Sequence, residues 1–596
     1  MIPKRWKIKN PGNPNVIELL QKELNVSSVI ANILSHRGIT SFEEARKFFR
    51  PQLSDLHNPF LMKDMDKAVA RIEQAIKNKE KILVYGDYDV DGTTAVAMMY
   101  DFLKKIYSPF LKEDELVSNG LVDFYIPDRY KEGYGISFAG IDFAADNNFS
   151  LFIALDCGIK GVGEIDYAKK KGIDFIICDH HIPGEKIPDA IAVLDPKRSD
   201  CNYPYKELSG CGIGFKLIQA FSQVHQDFAF LLEQYLDLVV TSIASDIVPI
   251  TGENRILAYF GLQRINNNPR EGFRAILELN NIKKEFTITD LVFVIGPRIN
   301  AAGRMDSGKK AVELLITSSK EQAMELAVYL NQINMNRKET DSSITQQAIK
   351  MIASNPELQN KKTTVLFDPQ WHKGVIGIVA SRLIETYYRP TIILTEFNGI
   401  ISGSARSVKG FNIYEAIVAC SDLLDHFGGH RYAAGLSLKP ENIKKFISRF
   451  EEVVSSTIDE ELLIPEIEID DVINFSDITS NFYNILKQFA PFGPKNMNPV
   501  FLTKNVVDKG YVRIVGSNHL KMNVFQTANS LSDKRITNTK TIGTSKPQTI
   551  PAIAFDMGGH YFNVYKKTPF KVCYNISKQE WEGNSFLQLN VKDMKW

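Results

Sequence analysis

Residues 86–92 read Gly86-Asp87-Tyr88-Asp89-Val90-Asp91-Gly92 and place carboxylates at alternate positions directly after an apolar run. Their mutual repulsion is unfavourable in water, and a hard divalent cation relieves it. The pattern alone is ambiguous, because acidic loops are common and calcium-binding EF-hand loops open in the same way. The EF-hand reading fails on spacing: the twelfth position counted from Asp87 is Met98, where a bidentate Glu would stand. Three more clusters follow: Asp156-Cys157-Gly158, Cys178-Asp179-His180-His181, and Asp246 within Thr241–Pro249. Imidazole beside carboxylates suits Mn²⁺ better than Ca²⁺. Taken singly, each cluster reads as a surface turn or a helix cap. Together they point to a metal centre.

The elements that must position these residues are legible as apolar runs. Ile82–Tyr85, Leu151–Leu155, Ile173–Cys178 and Ala190–Leu194 are continuous apolar stretches separated by helical patterns, the first of them Thr93–Ile106. This alternation predicts an α/β fold with a parallel sheet covered on both faces. Sites in such sheets form beyond the carboxyl ends of the strands, and these runs end on Asp87, Asp156, Asp179 and Asp195. Thr317–Gln322 carries a capping-box signature, and the Pro-free stretch from Ser319 to Ala353 predicts a long connecting helix. A second α/β pattern begins at Thr363. Beyond it, alternation in Met522–Val524 and Leu587–Val591 predicts a small β-barrel. Gln526–Thr549, rich in Ser, Thr, Asn and Lys, reads as a loop. The expected division is an N-terminal segment 1–55, a catalytic domain 56–316, a connecting helix 317–355, a second α/β domain 356–458, and a β domain 459–596.

The 596 residues are 44% hydrophobic and 24% charged, as in an ordinary globular protein. No apolar run reaches the length of a membrane span, and no apolar signal core follows Met1–Trp6, so a cytoplasmic protein without membrane contact is expected. The six cysteines form no CxxC pair, which argues against a zinc ribbon. With a net charge of +1, any nucleic-acid binding must use a local basic groove.

The four acidic clusters, in this order, resemble the signature motifs of the DHH phosphoesterase superfamily. Pro127-Asp128-Arg129, Glu132–Gly135, Ser209–Gly212 and Gly296–Arg304 further resemble the RecJ family of single-strand-specific exonucleases. Ser402–Ser407, Phe427–His430 and Ala433–Gly435 are similar to the DHH-associated domain, and Ala490–Pro494 opens a segment similar to an oligonucleotide-binding (OB) domain. The resemblance implies two Mn²⁺ or Mg²⁺ ions. Asp89, Asp156, His180 and Asp246 would hold one, and Asp91 with the shared Asp156 the other. Catalytic roles fall to His181, Asp87 and Asp179. Tyr85 stands where many superfamily members have His, so Asp87 is expected to substitute. His181 would orient the scissile phosphate or protonate the leaving oxygen. Arg129, Tyr134, Arg298, Asn300, Arg304, Ser404, Arg406, Gly429 and His430 would contact phosphate and DNA. The implied function is 5′-to-3′ degradation of single-stranded DNA to mononucleotides in repair and recombination. It would be carried out by a monomer whose partners include a single-strand-binding protein and a helicase. Composition and spacing alone support only a metal-dependent phosphoester hydrolase. A short-oligonucleotide or cyclic-dinucleotide phosphodiesterase, an inactive nucleic-acid-binding relative and a manganese pyrophosphatase remain open.

Overall fold

The structure is a computed structural model that describes residues 2–108, 120–527, 548–581 and 583–596. The chain forms two compact units. One is Gln52–Leu463 with Gly493–Lys495; the other is the chain up to Pro51 with Ile464–Phe492 and Asn496–Trp596.

The first unit is built on a parallel sheet of β1 (Ile82–Gly86), β2 (Val122–Tyr125), β3 (Leu151–Leu155), β4 (Asp174–Cys178) and β5 (Ala192–Leu194), in spatial order β2-β1-β3-β4-β5. Every residue of β1 and β3 is buried, as a sheet covered on both faces requires. Strand order reverses at β1, which puts a crevice beyond its carboxyl end. Helix α1 (Val90–Tyr107) starts there, capped by Asp89, whose carboxylate accepts from Gly92 N at 3.1 Å. Helices α2 (Gly210–Val224) and α3 (Leu236–Ser245) pack against it within one large core. The stretch Gln226–Ser245 is long and apolar enough to cross a membrane, contrary to the expectation from composition, but most of its apolar window is buried inside the protein.

Helix α4 (Lys320–Ala353) begins where its capping signature predicts, with Ser319 accepting from Gln322 N at 3.2 Å. It leads to a second, five-stranded sheet of β6 (Thr364–Phe367), β7 (Thr391–Phe397), β8 (Ile400–Arg406), β9 (His426–His430) and β10 (Ala433–Leu438), in order β9-β10-β8-β7-β6. Only the β6–β7 pair is parallel.

In the second unit a seven-stranded mixed sheet makes the β domain. The N-terminal segment, set out as residues 1–55 in the sequence, folds into it up to Pro51. Arg5–Ile8 pairs in parallel with Glu466–Ile469, and Leu20, Ile30, Ile33 and Leu34 share one core with Phe482, Phe489, Phe501 and Tyr574. Residues 528–547 of the expected Gln526–Thr549 loop lie outside the described residues.

Candidate metal and phosphate site

Asp87, Asp156 and Asp179 directly follow β1, β3 and β4, while Asp246 ends α3. The elements bring them together around one imidazole. His180 Nε2 lies 3.2 Å from Asp156 Oδ1, 3.5 Å from Asp246 Oδ2 and 3.7 Å from Asp91 Oδ2. Ligating atoms of Asp156, His180 and His181, and of Asp91, His180 and Asp246, each fall within 4.8 Å of one another. Asp156 leaves β3 with φ 62°, in the left-handed region. A Cβ on Gly210 would stand 2.6 Å from the Cβ of Asp156, so only glycine fits where α2 meets this carboxylate. The same helix end serves Asp91. Gly210 N and Cys211 N donate to its two oxygens at 2.7 Å, and Ser242 Oγ donates to Oδ1 at 2.7 Å. A helix N-terminus favours the anion it holds. These three donors lie 119 to 151 residues from Asp91, so sequence proximity gave no sign of them.

Burial, then repulsion from Asp91, Asp89 and Asp246, pushes Asp156 well above the usual carboxylate range. Burial and Asp89 do the same to Asp87, and burial and Asp91 raise Asp89. Asp246 is pushed up to about 9 by burial and by Asp91 and Asp89. Burial lowers His180. Oδ1 of Asp87, Oδ1 of Asp156 and both ring nitrogens of His180 are buried without a hydrogen-bond partner. Orphaned acceptors beside mutually repelling carboxylates are costly unless a cation neutralises them. Oxygen and imidazole donors together suit Mn²⁺ or Mg²⁺.

His181 is held differently. Its Nδ1 is 2.7 Å from Asp179 Oδ1, which also accepts from the backbone of His180 and His181, while Asp179 Oδ2 accepts from Ile159 N. Burial alone would raise Asp179, but the bond from His181 and the other contacts hold it at about 2. Asp179 is therefore a positioning group. The Tyr134 hydroxyl lies beside the same ring, 3.1 Å from Nε2 and 3.4 Å from Nδ1. Tyr134 is placed by Tyr85, whose hydroxyl donates to Gly135 O at 2.7 Å and accepts from Ser137 N at 3.1 Å. The residue at the usual histidine position thus faces away from the carboxylates and anchors the loop that carries Tyr134. A cavity of about 630 Å³ joins Asp89, Asp156, His181 and Asp246 to Gly429 and His430 of β9. The His430 ring stacks on His181 at 6.5 Å. Gly429 has φ 149°, and a Cβ there would meet Ala433 O at 2.4 Å.

Tyr134 and Gly428 also line a neighbouring cavity of about 480 Å³, whose walls carry Arg129, Arg304, Lys373 and Arg406. Among the described residues none of these four cations has a carboxylate partner. Arg304 Nη1 donates to Gly374 O at 3.1 Å, Arg406 Nη1 to Ser404 Oγ at 3.1 Å, and the Arg129 guanidinium lies over the Tyr88 ring at 4.8 Å. Burial, then Arg129 and Arg406, lowers Arg304 to about 10, which reports a site short of negative charge. The first turn of helix Ile376–Tyr387 lines the same cavity. Arg forks and a helix N-terminus are suited to phosphate. Lys373 had no signal in the sequence beyond its charge.

One expected contact is corrected, and one expected residue is brought to neither cavity. Arg298 is 6% exposed and donates to Val294 O, Asn331 Oδ1 and Asn280 Oδ1, so its fork is committed inside the protein. Asn300, half-buried on the same helix (Gly296–Met305), lines neither cavity.

Comparison with known proteins matches this geometry. The DHH family N-terminal domain model covers residues 81–243, the DHHA1 domain 360–456 and the RecJ OB domain 469–593. The single-stranded-DNA-specific exonuclease RecJ of Bacillus subtilis is 36% identical over 99% of this chain and 70% of its own length. The Escherichia coli protein of the same name is 31% identical over 95% of both chains. RecJ of Thermus thermophilus in complex with Mn²⁺ superposes with a TM-score of 0.80 at 25% identity, covering 99% of this chain and 79% of that one. Similarity at this level along nearly the whole chain leaves one placement: this protein belongs to the RecJ family of DHH phosphoesterases.

Proposed function

We propose that this protein is a metal-dependent exonuclease that degrades single-stranded DNA from its 5′ end to mononucleotides. One observation carries the reading: the carboxylate and imidazole cluster opens directly beside a cavity of four unpaired cations, the two sharing Tyr134 and Gly428. A terminal phosphate held by Arg129, Arg304, Lys373 and Arg406 would set the next phosphodiester against the carboxylates. The relatives named above, single-stranded-DNA-specific exonucleases and a Mn²⁺ complex, support the substrate and the cofactor.

Asp89, Asp91, Asp156, His180 and Asp246 would hold Mn²⁺ or Mg²⁺, which when bound supplies water activation near neutral pH and neutralises charge on the reacting phosphate. The protein's own groups do the positioning. Asp179 fixes the His181 ring through Nδ1, which leaves Nε2 3.1 Å from the Tyr134 hydroxyl and His181 in the wall of the cavity. Burial opposes the charged form of His181, but the bond to Asp179 and the nearby carboxylates raise its pKa, so Nε2 can hold a proton for the leaving oxygen. All motif acids are present, which argues against an inactive relative, and the OB match argues for a long strand over a cyclic dinucleotide. Six free, buried cysteines support a reducing compartment such as the cytoplasm. A single-strand-binding protein and a helicase are the partners this substrate calls for.

The test uses single-stranded DNA labelled at either end, incubated with Mn²⁺. Mononucleotides released first from the 5′ end are expected; release only from the 3′ end, or none, would sink the reading.

A further inference from the structure

Helix α4 carries a basic groove that lines neither cavity described above. The groove, about 570 Å³, is formed by Lys338, Glu339, Ser342, Ser343 and Gln346 of α4 with Arg382 of helix Ile376–Tyr387. Lys338, Ser342 and Gln346 are spaced by four and share one helical face. Among the described residues these three have no hydrogen-bond or ion-pair partner.

Charge behind the groove is unbalanced. Asp341, fully buried, accepts from Arg337 Nη1 at 2.9 Å and forms an ion pair with Arg382 Nη2 at 2.7 Å, so one carboxylate serves two guanidinium groups. Arg298, buried on the helix packed against α4, has only amide and carbonyl acceptors. Among the described residues Asp341 is the only carboxylate paired with any of Arg298, Arg337, Lys338 and Arg382, and the exposed Glu339 is the only acid lining the groove. A solvated helix face would account for Lys338 and Glu339. It does not account for a buried guanidinium without a carboxylate, which is costly to keep. Burial, then Arg298 and Arg337, lowers the pKa of Lys338, as expected in an uncompensated positive field.

We propose that this groove binds a phosphate group of a nucleic acid or nucleotide, giving the protein a second anion site on its connecting helix, apart from the carboxylate centre. Lys338 and the free edge of Arg382 supply charge, and Ser342, Ser343 and Gln346 supply hydrogen bonds. Arg298 and Arg337 act through their field. The site rests on the proposed nuclease reading, because that reading brings phosphodiesters to this unit.

Lysine footprinting on the full-length protein with Mn²⁺ tests it. A phosphorothioate-linked thymidine strand, which resists cleavage, is expected to protect Lys338 from acetylation. Protection by the strand alone assigns the ligand as backbone phosphate; protection by thymidine monophosphate alone assigns a free nucleotide phosphate. Lys338→Gln is expected to weaken binding of the protecting ligand about tenfold. If that ligand is the strand, the slope of log affinity against log salt should flatten by about 0.7. Lys338→Arg should restore both. Acetylation of Lys338 at one rate with and without either ligand would overturn the site. Hydrolysis of an ordinary labelled strand by the same samples is read separately, and its absence would instead overturn the nuclease reading.

Discussion

Asp156 combines a left-handed backbone, full burial and an unpartnered oxygen, and each of these has a cost unless the carboxylate has work to do. Replacing it with Ala should lower hydrolysis by several orders of magnitude, because it removes a carboxylate central to the cation site. Asp156→Asn keeps a residue that tolerates the left-handed region, so it should lose activity while melting close to the parent. More than about a tenth of parental activity in saturating Mn²⁺ would remove Asp156 from the site. Arg129→Ala and Arg406→Ala should each cost roughly 1.5–3 kcal/mol on 5′-phosphorylated ends and much less on 5′-hydroxyl ends. Equal losses in kcat/KM on both substrates would show that neither side chain reads the terminal phosphate. At this scale the acidic clusters were legible, because three carboxylates at alternate positions repel one another and call for a cation. The roles of Tyr85 and Arg298 were not. Both depend on which way a side chain leaves its element, and the residue type alone is silent on that.

Helix α3 ends on Asp246, and the next residue, Ile247, sits at φ 59° although it is β-branched and 67% exposed. That position after a helix usually takes glycine, which has no Cβ to crowd the preceding carbonyl. Ile247→Gly should therefore stabilise the protein by about 1 kcal/mol in chemical denaturation. A loss of stability would mean that the isoleucine makes contacts that outweigh its backbone strain. Among elements, β1, β3 and β4 were read from continuous apolar runs, and α4 from its cap. Strand β2 was missed: Val122-Asp123-Phe124-Tyr125 is an edge strand, only one of its residues is buried, and its polar residue breaks the run. The donors to Asp91 were hidden for a related reason, since a helix N-terminus becomes an anion site only once packing aims it at one.

For the molecule as a whole, the carboxylate cluster makes stability depend on pH when no metal is bound. A carboxyl raised in the fold, as Asp246 is to about 9, stays protonated there while the unfolded chain ionises. Its contribution is fully present below about pH 4 and is lost as pH rises through the folded value, at up to about 1.4 kcal/mol per pH unit. Chelator-treated protein should therefore have a lower Tm at pH 8.5 than at pH 6.5, and Mn²⁺ should raise the Tm more at pH 8.5. A metal-free Tm that rises across this window would contradict the burial of ionisable acids argued above. The second unit exposes Tyr511, Phe562 and Tyr565, while Phe501 and Tyr574 are core. A truncated protein consisting of Gln52–Leu463 should still cleave very short oligonucleotides. It should bind long strands at least about thirtyfold more weakly, with a shallower salt dependence, from the loss of two stacked bases and their phosphate contacts. Unchanged affinity would remove the β domain from substrate binding. Cutting only after Ser456 would be the wrong experiment, because Leu20, Ile30 and Ile33 would lose the core they share. The pairing of Arg5 with Glu466 also fixes an order of events at the ribosome. Arg5 is synthesised 461 residues before its partner. At about 5–20 residues per second, that edge waits roughly 25–90 s, unpaired, as the intervening unit is made. A nascent chain of this protein is thus expected to carry this strand edge open until residues 466–469 have been made.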